Sequence, residues 1–268
     1  MGTARSHGIE IHYEATGDGP AIVLLHSFLC SGAMWEPQVG PLSRRCRTLN
    51  VDLRGHGRSG PIEEEFDLYD MVDDAVAVLD REGVEKAVWA GLSVGGMVAL
   101  RAALVRPERV AGLALLDTDA GPEKRGVTLK YRLLGAVARW LGLGPVMPQV
   151  TKQMFGRTTL RERPELVRQW VERFRGVHVP SMLRMLTALV RRDDLTARLG
   201  SIAVPALVLV GEEDASLPPP RSRRLAAALP EARLVEVPAA GHLASLEQPE
   251  AVSAALLGFL DRLREPAA

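Results

Sequence analysis

Short apolar runs alternate with longer helical patterns through the first 118 residues. Strand-like runs fall at 22–25, 47–52, 87–90 and 112–116, and their unbroken apolar character predicts burial on both faces. Helical periodicity occupies 34–43, 68–81 and 96–105 between them, the last stopping before Pro107 as a helix must. A hairpin is expected around 9–15, closed by Gly17-Asp18-Gly19-Pro20. This grammar predicts an α/β fold with a mostly parallel sheet flanked by helices. Over 121–200 the strand-like runs disappear, and amphipathic helical patterns broken by Gly and Pro replace them. Strands at 206–210 and 233–237 and helices near 221–228 and 249–263 then resume the first pattern. The expected division is a core of residues 1–120 and 201–268, interrupted by a helical cap over 121–200.

Composition changes the picture in a few places. A chain of 268 residues slightly exceeds the usual size of a single core, which fits one domain carrying an insertion. With 33 basic and 33 acidic residues, no overall field draws the chain to nucleic acid. The balance hides an asymmetry: 121–200 carries 16 Lys/Arg against 6 Asp/Glu, a surplus of 10 that the remainder offsets. A solvated helical surface accounts for it, and a basic cover over a pocket that attracts anionic substrates is the alternative. Cys30 and Cys46 are too few for a disulfide framework and suit a reducing compartment. No run approaches the roughly 18 apolar residues of a membrane span, so a cytoplasmic protein with no membrane and no nucleic-acid partner is expected. The Met1-Gly2-Thr3-Ala4-Arg5-Ser6 start matches the loose myristoylation pattern, which has no meaning in a prokaryotic chain. No H-E-x-x-H, C-x-x-C or P-loop pattern is present, so neither a metal nor another cofactor is expected.

The chemistry concentrates at Ser93. It stands in Gly91-Leu92-Ser93-Val94-Gly95-Gly96, after a strand-like run and before a helical one, which is the G-x-S-x-G context of a nucleophile held on a sharp turn. A serine hydroxyl is a poor nucleophile near neutrality and needs a base, and the base needs a group that fixes its tautomer. His242, in the loop after the last expected strand, supplies the imidazole. Asp214, in Gly211-Glu212-Glu213-Asp214 at the carboxyl end of the preceding strand, supplies the carboxylate. Carboxyl ends of parallel strands are where such residues converge.

With these residues in place, the chain resembles the α/β-hydrolase superfamily, in its capped branch of small serine esterases and lactonases. His26-Ser27-Phe28 resembles that family's H-G-x oxyanion segment, and Asp52-x-Arg54-Gly55-x-Gly57-x-Ser59 its D-x-R-G-x-G-x-S turn. The resemblance covers essentially the whole chain and implies that the backbone N–H groups of Phe28 and Val94 stabilise an oxyanion. Ser27 departs from the family's glycine, which puts the shape of that hole in question. Met34-Trp35-Glu36-Pro37-Gln38 resembles enol-lactonases of aromatic catabolism. The implied activity is cofactor-free hydrolysis of a small carboxylic ester or lactone. Thioester, carbon–carbon and perhydrolytic chemistry on the same residues are alternatives, as is a silent small-molecule receptor.

Rival readings stand beside these. Gly55-His56-Gly57-Arg58-Ser59-Gly60 satisfies G-x-G-x-x-G, but Pro61 and 63–65 follow it instead of a helix. Asp117 or Asp119 could replace Asp214, and Glu212 and Glu213 read as solvated loop charges. His26 and His56 read as turn supports before they read as bases. Cys30 reads as a small buried hydrophobe.

Overall fold

The computed structural model describes residues 1–123 and 125–264. Eight strands, β1 (Gly2–Ser6), β2 (Ile9–Thr16), β3 (Ala21–Leu25), β4 (Arg47–Val51), β5 (Ala87–Leu92), β6 (Val110–Leu116), β7 (Ala206–Gly211) and β8 (Ala232–Val237), form one sheet in the order β1-β2-β4-β3-β5-β6-β7-β8. The first two pairings are antiparallel and the rest are parallel. Side chains of the central strands alternate between two apolar layers: Val23, Leu25 and Trp89 face one, while Ile22, Leu24, Val88 and Ala90 face the other. Helices α2 (Leu68–Arg81) and α3 (Val94–Val105) close the first layer, and α1 (Glu36–Ser43) borders the second. Five helices, α4 (Arg125–Leu141), α5 (Met147–Met154), α6 (Arg157–Glu162), α7 (Pro164–Arg175) and α8 (Val179–Val190), lie between β6 and β7 in the chain. After them come α9 (Pro219–Ala228), the one-turn α10 (Ala244–Glu247) and α11 (Pro249–Arg262), which packs beside α1 in the second layer.

The N-terminal hairpin differs from expectation. It is β1 paired with β2 through His7 and Gly8, whose φ values of 46° and 77° suit a two-residue turn of primed type. The turn at 17–20 instead leads from β2 into β3, and β4 stands between those two strands. Only Ala4 and Ser6 of β1 are buried, so its sequence carries no strand signal of its own. Cys30 and Cys46 are both buried and free. Burial pushes the Cys30 thiol up, which suits an inert side chain.

Candidate functional site

Ser93 ends the step from β5 into α3 with φ 55° and ψ −113°, a conformation that L residues avoid. Its surroundings hold it there. The Ser93 N–H donates to Leu116 O at 2.9 Å, and its carbonyl accepts from Thr118 Oγ1 at 2.7 Å and from Met97 N at 3.0 Å. The flanking glycines explain the sharpness of the turn: a Cβ on Gly91 would overlap the Gly95 backbone, and one on Gly95 would overlap the Leu25 carbonyl. Ser93 thus sits at the start of α3, whose first N–H groups have no partner within the helix.

His242 lies between β8 and α10 and is almost fully buried. Its Nδ1–H donates to Asp214 Oδ2 at 2.8 Å, while Asp214 Oδ1 accepts from the N–H groups of Ser216 at 2.8 Å and Leu217 at 2.9 Å. Both carboxylate oxygens are therefore engaged, and the imidazole is fixed with its Nε2 on the far side of the ring. Glu247 holds the loop from behind and was not singled out in the sequence. Its side chain accepts from Gly241 N at 3.0 Å, Leu243 N at 3.2 Å and Gly156 N at 2.8 Å, tying the His242 loop to the residues preceding α6. Burial pushes its carboxyl up, and these backbone donors oppose the shift. A carboxylate five residues after a histidine carries no signal without knowledge of which backbone groups it meets.

The rival acids separate cleanly. Asp119 is paired with Arg221 at 2.5 Å, and Glu213 binds Thr158 and Arg157. Asp117 is fully buried, and its Oδ1 accepts from Gly211 N at 2.8 Å, at the root of the loop that carries Asp214. Burial, and after it the neighbouring Asp214, push the Asp117 carboxyl well above the ordinary carboxylate range. It is Asp214 that bonds His242.

Ser93 and His242 line one cavity of about 120 Å³. Its wall also contains Phe28, Met97, Tyr131, Leu134, Met154 and Leu217. Among the described residues, the charged groups on it are Arg192 and Glu123, paired at 3.3 Å with both side chains buried. Among these residues, the cationic surplus of 121–200 therefore does not reach the cavity as an unpaired charge.

Ser27 and Phe28 of the segment 26–28 line the same cavity. The Ser27 N–H donates to Met34 Sδ at 3.2 Å, and its carbonyl accepts from His26 Nδ1–H at 2.7 Å and Cys30 N at 3.1 Å. Its hydroxyl is buried and has no partner among the described residues. His26 Nε2 accepts from Leu53 N at 2.9 Å, and His56 Nδ1–H donates to Arg54 O at 3.1 Å, so both imidazoles brace turns. Burial, followed by the neighbouring His56, holds His26 down at about 3, and burial likewise lowers His56. The unfolded chain protonates these rings near their ordinary value of about 6.5, whereas the folded chain resists. Stability is therefore fully present above that value and falls as the pH drops below it, for His26 toward 3, by up to about 1.4 kcal/mol per pH unit for each ring. Chemical denaturation between pH 7 and pH 4 is expected to show this slope, and His26→Gln to flatten it by one proton. An unchanged slope would remove the buried neutral imidazole from the account.

A family model described as the alpha/beta hydrolase family matches residues 22–255. The chain belongs to that family. A protein named "Putative carbamate hydrolase RutD" from Variovorax paradoxus is 31% identical over 267 residues, covering 96% of this chain and 98% of its own. Among solved structures, a thermophilic esterase from Thermogutta terrifontis, with malate bound, superposes with a TM-score of 0.93 at 31% identity. That match covers 98% of this chain and 97% of the esterase. The enol-lactonase from Burkholderia xenovorans LB400 gives 0.91 at 28% identity, covering 97% of this chain and all of its own. Its likeness accords with the lactonase resemblance noted in the sequence.

Proposed function

We propose that this chain is a serine hydrolase that cleaves a small carboxylic ester or lactone through an acyl-enzyme. The observation that carries the reading is the His242–Asp214 hydrogen bond, with His242 and the strained Ser93 opening on one cavity. His242 Nε2 takes the proton of the Ser93 hydroxyl as Oγ attacks the substrate carbonyl, and Asp214 holds the imidazole and favours its charged form. The N–H groups of Phe28 and Val94 receive the developing oxyanion, because neither donates to another group among the described residues. Collapse expels the alkoxide, which takes the proton from His242. Water, deprotonated by the same ring, then attacks the acyl-serine and releases the acid.

The helices of 121–200 act as the cap, since α4, α5 and α8 contribute Leu134, Val150 and Met182 to the cavity wall. A cavity of this size accepts a short acyl chain or small ring, near the roughly 150 Å³ that houses a benzene molecule. With Arg192 already paired, neutral esters are the expected substrates. The esterase and lactonase relatives support the same class. A fluorophosphonate probe should add its phosphonyl mass to the peptide holding Ser93 and abolish hydrolysis of p-nitrophenyl butyrate. Turnover should fall from the butyrate to the decanoate ester. Labelling elsewhere, or butyrate turnover that persists after stoichiometric labelling of Ser93, would defeat the proposal.

A further inference from the structure

Helix α4 presents apolar side chains on two opposite faces. Tyr131, Leu134, Gly135 and Ala138 turn toward the cavity. On the opposite side Leu129, Leu133 and Trp140 are 61%, 61% and 80% exposed, and Ala136 is exposed between them. Positions 129, 133, 136 and 140 follow the i, i+4, i+7, i+11 spacing that lines residues up along a helix. One apolar face is enough to cover a cavity, and water gives no reason for a second.

Charge defines what the second face meets. Lys130 flanks the stripe on one side, and Arg132 and Arg139 flank it on the other; all three are exposed and form no ion pair among the described residues. No Asp or Glu occurs anywhere in 124–161, a stretch containing eight Lys and Arg. Pairing with the same face of a second copy would set like charges against each other with no carboxylate on that face to offset them.

We propose that the outer face of α4 lies on the surface of an anionic phospholipid bilayer. Leu129, Leu133 and Trp140 enter the boundary between headgroups and acyl chains, and Lys130, Arg132 and Arg139 meet the phosphates. This is a peripheral contact: among the described residues, no helix is long and apolar enough to cross a membrane. Because the inner face of the same helix walls the cavity, the bilayer would sit against the outside of that wall. The contact stands whether or not Ser93 is the nucleophile.

The test uses the full chain with phosphatidylglycerol or phosphatidylcholine vesicles, read by co-sedimentation and tryptophan emission. Trp35, Trp89 and Trp170 are buried, so a blue shift on binding reports Trp140. Binding to phosphatidylglycerol should exceed binding to phosphatidylcholine at least tenfold at low salt and weaken as salt is raised. Leu129→Glu with Leu133→Glu should abolish the binding while leaving circular dichroism and hydrolysis of a soluble ester unchanged. Should that variant misfold, Arg132→Glu with Arg139→Glu, which keeps the apolar stripe, must lose the preference for phosphatidylglycerol. Failure to bind phosphatidylglycerol vesicles, or equal binding to both lipids, overturns the proposal. So does a concentration-dependent dimer that Leu133→Glu dissolves, because it gives the face to a second copy.

Discussion

Replacement of Ser93 by alanine is expected to lower kcat for a small ester on the order of 10⁶-fold, with the fold intact. The substitution deletes one oxygen, whereas the hydrogen bonds that hold the turn belong to the Ser93 backbone. What remains is the catalysis that binding and oxyanion donors provide without a nucleophile, roughly 10³-fold over water. Asp214→Asn tests the other end of the row. The amide can accept from Ser216 and Leu217 through its oxygen, but its NH₂ meets His242 where a carboxylate stood, which favours the wrong tautomer. A loss of about 10⁴-fold in kcat with little change in KM is expected. Steady-state kinetics on both variants, with circular dichroism to check folding, decide the matter. Retention of more than about 1% of wild-type turnover by Ser93→Ala would remove that residue from the chemistry.

The largest expected loss of stability lies beneath the 52–59 turn. Arg54 donates from Nε to Asp74 Oδ2 at 2.6 Å and from Nη2 to Asp74 Oδ1 at 2.7 Å, with both side chains 3% exposed. Arg54 also donates to the Asp70 carbonyl at 3.0 Å and stacks over Phe66 at 5.1 Å. Asp74→Ala leaves a buried guanidinium without its bidentate partner, which costs about 3–5 kcal/mol. That is a large part of the roughly 5–15 kcal/mol that holds a domain folded. Changing both partners to apolar residues of similar volume, Arg54→Met with Asp74→Leu, should recover most of the loss, because the expense lies in the orphaned charge. Urea denaturation of the single and double variants separates the two effects. A loss below about 1 kcal/mol for Asp74→Ala would mean that water reaches the pair.

The strands at 22–25, 87–90 and 206–210 were readable because they are buried on both faces and therefore apolar without interruption. Ser93 was readable for a related reason: the glycines around it are demanded by contacts within a few residues and by the strand alongside. The turn at His7 and Gly8 was missed, since β1 becomes a strand only through its pairing with β2. Glu247 was invisible in the same way, because one of its three backbone donors, Gly156 N, is far away in the chain and the other two meet it only through the fold of the His242 loop.

Local chemistry was thus enough to indicate the α/β class and to single out Ser93, His242 and Asp214 as the candidates for nucleophile, base and acid, because periodicity and turn geometry are properties of short stretches. Seeing that it is Asp214, and neither Asp117 nor Asp119, that bonds His242, inserting β4 between β2 and β3, and leaving an apolar stripe of α4 facing outward required the assembled molecule. Each depends on which distant groups share a few ångströms of space, and hydrogen bonds and burial are settled by that proximity.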